Sequence, residues 1–290
     1  MMGTDGGLRP DNSHSIQVHA RVQLHRSTLM LEEFLNVAIL VLSIVVLYQG
    51  DYLTPVYPSV DERGLILVTG ASSGIGKHIS IELSSIAKHI YIIARDIKKL
   101  ECVHDEIIKN QCECTIVPVD LREENSVENL AQQISKKNKF INALILSAGS
   151  IDALSPIDSI DLQKFKDILK LNYISNFRMI KNFHPLLKSA NNANLAVISS
   201  QIDNSKKQYW GIYQPIMSAL NELTITYAKE NYRSKIKANV FCPQAVRTKF
   251  RDIIMPGENK DALPTPEYIA KKIIKHILTS EESGKLIQIS

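Results

Sequence analysis

The sequence predicts an α/β protein built on a doubly wound, seven-stranded parallel sheet with helices on both faces, preceded by an N-terminal hydrophobic segment. Seven short apolar runs alternate with longer amphipathic stretches, and the first run ends in a glycine-rich turn. Of the 290 residues, 44% are hydrophobic and 22% are charged, which excludes disorder, collagen and a coiled coil. We therefore expect a globular chain with a substantial core.

Each apolar run is expected to form a buried strand, and each amphipathic stretch a helix that packs on the sheet. The strands are predicted at 64–69, 89–94, 114–119, 141–147, 195–199, 236–241 and 286–289. The helices are predicted at 74–87, 97–110, 123–137, 161–188, 210–231 and 266–279. Because helices separate the strands, the strands should run parallel, and ligands should bind beyond their carboxyl ends.

The chain divides into three parts that differ in hydrophobic content and pattern. Residues 1–29 show no hydrophobic period and are predicted to be a disordered or targeting extension. Residues 30–53 contain the long apolar run from Phe34 to Tyr48, which would span about 22 Å of a hydrocarbon core about 30 Å thick. No repeat or low-complexity linker interrupts the remainder, so residues 62–290 are predicted to form one domain of catalytic size.

The apolar run is interpreted as a candidate membrane-anchor helix, which predicts a membrane-associated protein, for instance at the endoplasmic reticulum. A signal-peptide core is disfavoured because Glu32 and Glu33 replace its positive flank. An extra helix packed on a cytoplasmic domain is the other alternative.

Charge and cysteine content narrow the function classes. The formal charge of +4 comes from 34 basic and 30 acidic residues that are interspersed, so a nucleic-acid partner is not expected. The four cysteines do not suggest a disulfide framework, and Cys112 and Cys114 are too close in sequence for a zinc pair. Four histidines lack metal-ligand spacing and are interpreted as surface or core residues: His78, His89, His104 and His184. We predict no metal site.

The glycine-rich turn is the most informative motif. The segment from Thr69 to Gly76 reads TGASSGIG and lies between the first predicted strand and a helix. Its glycines let the backbone approach a pyrophosphate closely and present free N–H groups to it. The alternative is a purely structural turn. The predicted cofactor contacts here are Gly70, Ser72, Ser73, Gly74, Ile75 and Gly76.

The end of the second strand predicts which dinucleotide is preferred. Arg95 follows Ala94 where an acidic residue would grip the ribose 2′-hydroxyl of NAD. An arginine suits a 2′-phosphate instead, so NADP(H) is expected to be preferred, with NAD(H) as the other option. A solvated surface charge is the alternative interpretation of Arg95.

With these motifs the chain resembles the short-chain dehydrogenase/reductase family, and further motifs along residues 64–290 agree with this resemblance. The resemblance assigns more cofactor contacts at strand ends and in a late loop, namely Asp120, Leu121, Ser147, Ala148, Gly149, Val246 and Thr248. It implies three catalytic residues: Asn172, Ser200 and, thirteen residues later, Tyr213. A small-molecule carbonyl or alcohol substrate and a homodimer or homotetramer are also implied by the resemblance.

The sequence departs from the family pattern beside the expected proton donor. The family has a lysine four residues after the tyrosine, where this chain has Met217, which can neither lower the tyrosine pKa nor hydrogen-bond a ribose. Neither Lys206 nor Lys207 in the preceding loop is an evident replacement. Two functions therefore remain open: an NADP(H)-dependent oxidoreductase weakened by this change, and a non-catalytic dinucleotide-binding protein with a sensing or scaffolding role.

Overall fold

The structure, a computed structural model, describes residues 64–201 and 208–290. The predictions for residues 1–29, for the candidate anchor at 30–53 and for Lys206 and Lys207 fall outside these ranges. Among the residues described, no helix is both long enough and apolar enough to cross a membrane.

The described chain contains the predicted seven-stranded parallel sheet. The strands are β1 (Leu65–Thr69), β2 (His89–Ala94), β3 (Glu113–Pro118), β4 (Ala143–Leu146), β5 (Ala193–Ile198), β6 (Ile236–Pro243) and β7 (Leu286–Ile289). Their order across the sheet is β3-β2-β1-β4-β5-β6-β7, and every neighbouring pair is parallel. The fold class predicted from the sequence is therefore confirmed.

Helices cover the sheet between the strands. They are α1 (Gly74–Leu83), α2 (Ile97–Ile108), α3 (Ser126–Lys137), α4 (Leu162–Leu169), α5 (Ser175–Lys188), α6 (Gln214–Glu230), α7 (Lys249–Ile254) and α8 (Pro266–Thr279). The long helix predicted at 161–188 comprises α4 and α5 joined by a π-helical turn, Lys170–Ile174. A π-turn widens one turn of a helix and commonly marks a functional position.

Both faces of the sheet are buried, which explains why its strands are almost continuously apolar. Successive side chains of a strand point to opposite faces. Accordingly, Leu67 belongs to the hydrophobic core on one face, whereas Ile66 and Val68 belong to the core on the other. Leu144 and Ile145 of β4 separate in the same way.

The chain order reverses between β1 and β4, and this reversal positions the site. β1 pairs with β2 on one side and with β4 on the other, with Thr69 beside Leu146 at the end of the β1–β4 pairing. The glycine-rich turn after β1 and the segment Ser147–Gly149 after β4 therefore leave the sheet side by side. In doubly wound sheets, this switch point is where ligands bind.

The segment between β6 and α8, for which the sequence predicts no helix, is partly helical. It contains α7, which Thr248 caps by accepting a hydrogen bond from the Arg251 N–H at 3.3 Å. A 3-10 turn, Lys260–Ala262, follows. A helix of six residues is too short to show a helical period in the sequence, so tertiary contacts decide it. The Arg251–Glu258 ion pair, with nitrogen–oxygen distances of 2.6 and 2.8 Å, joins this helix to the residues that directly follow it.

Candidate active site

A cavity of about 1030 Å³ lies at the switch point and collects most of the residues predicted from the sequence. The predicted residues that line it are Gly70, Ser72, Ser73, Gly74, Ile75, Arg95, Asp120, Leu121, Ser147, Ala148, Gly149, Ser200, Tyr213, Val246 and Thr248. Gly76 and Asn172 do not line the cavity. Their contacts, described below, support the walls of the cavity from behind.

The glycine-rich turn packs closely on itself and on the loop after β4. Gly70 has a φ of +67°, and a Cβ atom there would lie 2.8 Å from the Ala148 Cα atom. A Cβ on Gly76 would lie 2.5 Å from the Gly70 carbonyl oxygen. Glycine is therefore required at both positions, because any larger residue would push the turn and the first helix apart.

The N-terminus of α1 is available to an anion. Ser73 is the N-cap residue, but its side chain makes no capping hydrogen bond, and the first turn of α1 has no acidic residue. The first N–H groups and the positive end of the helix dipole are thus not neutralised by these local groups. Such a helix terminus, lying at a cavity wall, is suited to bind a phosphate.

Thr69 joins the two loops that meet at the switch point. Its Oγ1 atom accepts hydrogen bonds from the Ser147 N–H at 3.1 Å and the Ala148 N–H at 3.2 Å. The same hydroxyl donates to the Ile145 carbonyl oxygen at 3.4 Å. This fully buried side chain therefore fixes the Ser147–Gly149 segment against the end of β1.

Charged groups line the cavity at the ends of β2 and β3. The Arg95 side chain is 59% exposed, and its Nη1 atom lies 3.7 Å from the Asp120 Oδ2 atom. Arg122 binds the same carboxylate with two nitrogens, at 3.0 and 2.6 Å, and these hydrogen bonds hold the Asp120 pKa below its ordinary value. Because Arg122 already satisfies Asp120, Arg95 can turn toward an anion. Lys99, whose ammonium group pairs with Asp96, also lines the cavity.

Asn172 braces the loop that follows β4. In the π-turn, its side-chain oxygen accepts a hydrogen bond from the Ser150 N–H, and its nitrogen donates to the Ser150 carbonyl oxygen, both at 2.8 Å. This two-point bond holds the backbone immediately after Gly149. Asn172 therefore shapes the cavity indirectly, by holding the loop that lines it.

Tyr213 lies at the N-terminus of α6 and is only 7% exposed. Its ring packs between Trp210 and Phe250, with centroid distances of 6.1 and 5.5 Å. Burial raises the pKa of Tyr213 well above its ordinary value, because the phenolate would lose its hydration. The tyrosine is therefore held as a neutral phenol at physiological pH.

Ser200 follows β5 and faces the same region. The Ser200 hydroxyl lies near Tyr213 and partly offsets the increase in the Tyr213 pKa that burial causes. The two groups do not form a hydrogen bond of ordinary geometry. The Ser200 Oγ atom is buried and has no hydrogen-bond partner among the residues described. Asn221 of α6 holds this strand end, since its side chain bonds the Ser199 hydroxyl and, at 3.1 Å, the Ser200 carbonyl oxygen.

Met217 lies one helical turn after Tyr213 and lines the cavity, although it is only 4% exposed. Its sulfur atom is 3.8 Å from the side-chain nitrogen of Asn172. None of the described groups that shift the Tyr213 pKa is a cation. The thioether therefore occupies the position from which a lysine would have faced the site.

Sequence reasoning missed several residues that shape the cavity. Trp210, Phe250, Arg251 and Asn176 line it, and Asn221 supports the end of β5. The two aromatic residues flank predicted site residues in sequence, which was a usable signal. The sequence gives no signal for Asn176 or Asn221, because an asparagine in a helix is ordinarily exposed to solvent or hydrogen-bonded to its own helix backbone.

Comparison with known proteins identifies the family. The sequence model for the short chain dehydrogenase family matches residues 64–259, which is most of the chain. The chain therefore belongs to the short-chain dehydrogenase/reductase family of NAD(P)-dependent oxidoreductases.

The individual relatives have low sequence identity to this chain, but the matching region covers most of the length of each relative. The uncharacterized oxidoreductase YciK of Escherichia coli is 25% identical over 205 residues, which cover 70% of this chain and 81% of that protein. The NADP-dependent 3-hydroxy acid dehydrogenase of Schizosaccharomyces pombe is 25% identical over 229 residues, covering 75% and 88%. A solved Escherichia coli short chain dehydrogenase complexed with NADPH has a TM-score of 0.72 at 24% identity, covering 78% and 96%.

Proposed function

We propose that the protein is an NADP(H)-dependent oxidoreductase that transfers hydride between the nicotinamide and a carbonyl or secondary alcohol substrate. The observation that carries this proposal is that Ser200 and Tyr213 line the same cavity as the glycine-rich turn and Arg95. A proton donor, a hydroxyl that can hold the substrate oxygen and a phosphate-binding helix terminus thus share one space.

The residues present fit the dinucleotide. The α1 N-terminus and the closely packed Gly70–Gly76 turn suit a pyrophosphate. Arg95 and Lys99 suit the 2′-phosphate of NADP(H), while Asp120 and Leu121 border the same end of the cavity. The NADP-dependent relative and the NADPH-bound solved structure support this choice of cofactor.

The chemistry follows from the protonation states. When bound, the nicotinamide supplies or accepts the hydride. The Ser200 hydroxyl would donate a hydrogen bond to the carbonyl oxygen, since its Oγ has no partner among the residues described. Tyr213, a neutral phenol, would give its proton to that oxygen as the carbonyl carbon gains hydride. Solvent must then return a proton to the Tyr213 phenolate.

Met217 favours a second candidate, a dinucleotide-binding protein without turnover. Proton transfer from Tyr213 produces a phenolate in a buried, largely apolar setting, and burial already raises the pKa of this group. With no cation beside Tyr213 among the residues that the structure describes, that phenolate is poorly stabilised. This observation argues for slow chemistry and does not affect cofactor binding.

Trp210 offers a direct test of binding. It is the single tryptophan of the chain and lines the cavity, so NADPH and NADH titrations can be followed by its fluorescence and checked by calorimetry. Saturable binding of NADPH is expected, with weaker binding of NADH. Absence of binding by both cofactors in a folded sample would overturn the proposal.

A panel of aldehydes, ketones and dicarbonyls with saturating NADPH then separates the two candidates. NADPH oxidation that is abolished by Tyr213→Phe supports the oxidoreductase. Tight NADPH binding without oxidation of NADPH by any carbonyl in the panel supports the non-catalytic protein.

A further inference from the structure

Asn176 is a buried amide that lines the cavity and that neither the proposed chemistry nor the sequence motifs account for. It lies on α5, one turn after Asn172, and is 2% exposed. Its side-chain nitrogen donates to the Asn172 carbonyl oxygen at 2.7 Å. Its side-chain oxygen, Oδ1, makes no hydrogen bond with any residue described.

The orientation of this amide is determined by its partner. A carbonyl oxygen can only accept a hydrogen bond, so the amide must present its nitrogen to Asn172. The opposite end, the Oδ1 atom, is therefore the unsatisfied one. Because an unpartnered buried acceptor is costly, a ligand that brings a hydrogen-bond donor would be favoured at this point.

The neighbours of Asn176 indicate where in the cavity this donor would lie. Asn176 bonds the Asn172 backbone, and the Asn172 side chain contacts Met217, one turn after Tyr213. Leu171, Met217 and Leu220 also line the cavity and offer no hydrogen-bonding group except the weakly accepting sulfur of Met217. These contacts connect Asn176, through Asn172, to the Tyr213 side of the cavity.

We propose that the Asn176 Oδ1 atom accepts a hydrogen bond from a ribose hydroxyl of the bound dinucleotide. An amide oxygen repels phosphate oxygens and carboxylates but accepts from a sugar hydroxyl. The contact chain through Asn172 and Met217 favours the nicotinamide ribose over the adenine ribose. This inference rests on the proposed binding of NADP(H) and assigns Asn176 a positioning contact with the cofactor.

The test compares two asparagines of the same helix. Asn176→Leu removes the acceptor at nearly constant volume. Asn182→Leu is the control, because the Asn182 nitrogen donates to the Arg178 carbonyl oxygen at 2.8 Å in the same way, with a further bond to Glu128 at 3.4 Å, and Asn182 does not line the cavity. Each variant is titrated with NADPH and with adenosine 2′,5′-bisphosphate, and its melting temperature is recorded without ligand.

Asn176→Leu is expected to weaken NADPH binding by about 3- to 12-fold, the usual effect of one lost hydrogen bond, while Asn182→Leu stays within about twofold. A loss for NADPH alone assigns the contact to the nicotinamide ribose, and an equal loss for both ligands assigns it to the adenine ribose. If Asn176→Leu does not fold, Asn176→Ala provides the same comparison.

Unchanged affinity of a folded Asn176 variant for both ligands would overturn the inference and leave cofactor binding itself intact. Failure of the wild-type protein to bind NADPH would instead overturn the proposed function. The two failures are therefore distinguishable in a single set of titrations.

Discussion

The side-chain nitrogen of Asn172 lies 3.8 Å from the sulfur of Met217. This contact joins the π-turn that braces the loop after β4 to the helix that begins at Tyr213. It also shows that position 217 faces the interior of the site, because Met217 is buried and lines the cavity. A lysine at this position would reach the same region, so one substitution tests how much of the site remains ready for chemistry.

Met217→Lys is expected to raise the oxidoreductase rate. A cation within about 4 to 6 Å lowers the pKa of a neighbouring acid by about 1 to 3 units, which stabilises the Tyr213 phenolate. At least a tenfold gain is expected for alcohol oxidation at neutral pH, measured as NADPH formation at saturating cofactor.

Met217→Leu is the matched control, because it removes the sulfur contact without adding charge. It should leave the rate close to wild type. If Met217→Lys folds normally but gives no gain, the pocket has lost more than its lysine and the non-catalytic candidate is favoured.

The pH dependence of the wild type should reflect the raised pKa of Tyr213. The reduction needs the neutral phenol, which persists as pH rises until the raised pKa is reached, so this rate should be flat from about pH 6 to 9. The oxidation needs the phenolate, so its rate should climb about tenfold per pH unit without a plateau below about pH 10. A plateau in the oxidation rate near neutral pH would mean that another group accepts the proton.

Arg95→Ala should reduce the preference for NADP(H). A charged contact with the 2′-phosphate is worth about 1.5 to 3 kcal/mol, which corresponds to roughly ten- to a hundredfold in affinity. NADPH binding should weaken by that factor while NADH binding changes little, as measured by calorimetry. Lys98→Ala is the control, because Lys98 is an exposed neighbouring cation that does not line the cavity. Equal losses from both variants would indicate a nonspecific charge effect.

Thr69→Val should destabilise the fold and weaken cofactor binding. It leaves the Ser147 and Ala148 N–H groups without the hydroxyl that accepts from them, at a cost of about 1 to 3 kcal/mol. The free energy of unfolding in urea and the NADPH affinity measure the two effects. Thr69→Ser keeps the hydroxyl and should retain most of both quantities, and an equal loss in the two variants would contradict this role.

Sequence reasoning predicted the strands well because their physical signal is local. Each buried strand is a short apolar run, and strands β2 and β7 begin and end where the sequence predicts them. Helix α7 is not predicted because six residues are too few to show a helical period. The Thr248 cap and the Arg251–Glu258 ion pair that stabilise it do not form a recognisable sequence motif. The π-turn inside the long predicted helix was missed for the same reason.

The sequence by itself determined the fold class, the family resemblance and the replacement of a lysine by Met217, since each depends on residue identity and spacing. Only the tertiary structure decided that Asn172 acts through the Ser150 backbone, that Tyr213 is buried among aromatic rings and that Asn176 presents an unpartnered oxygen. These properties depend on contacts between segments that are distant in sequence and come together at the ends of the parallel strands. Such contacts determine which side chains are buried and which polar atoms have hydrogen-bond partners, and residue spacing along the chain does not reveal them.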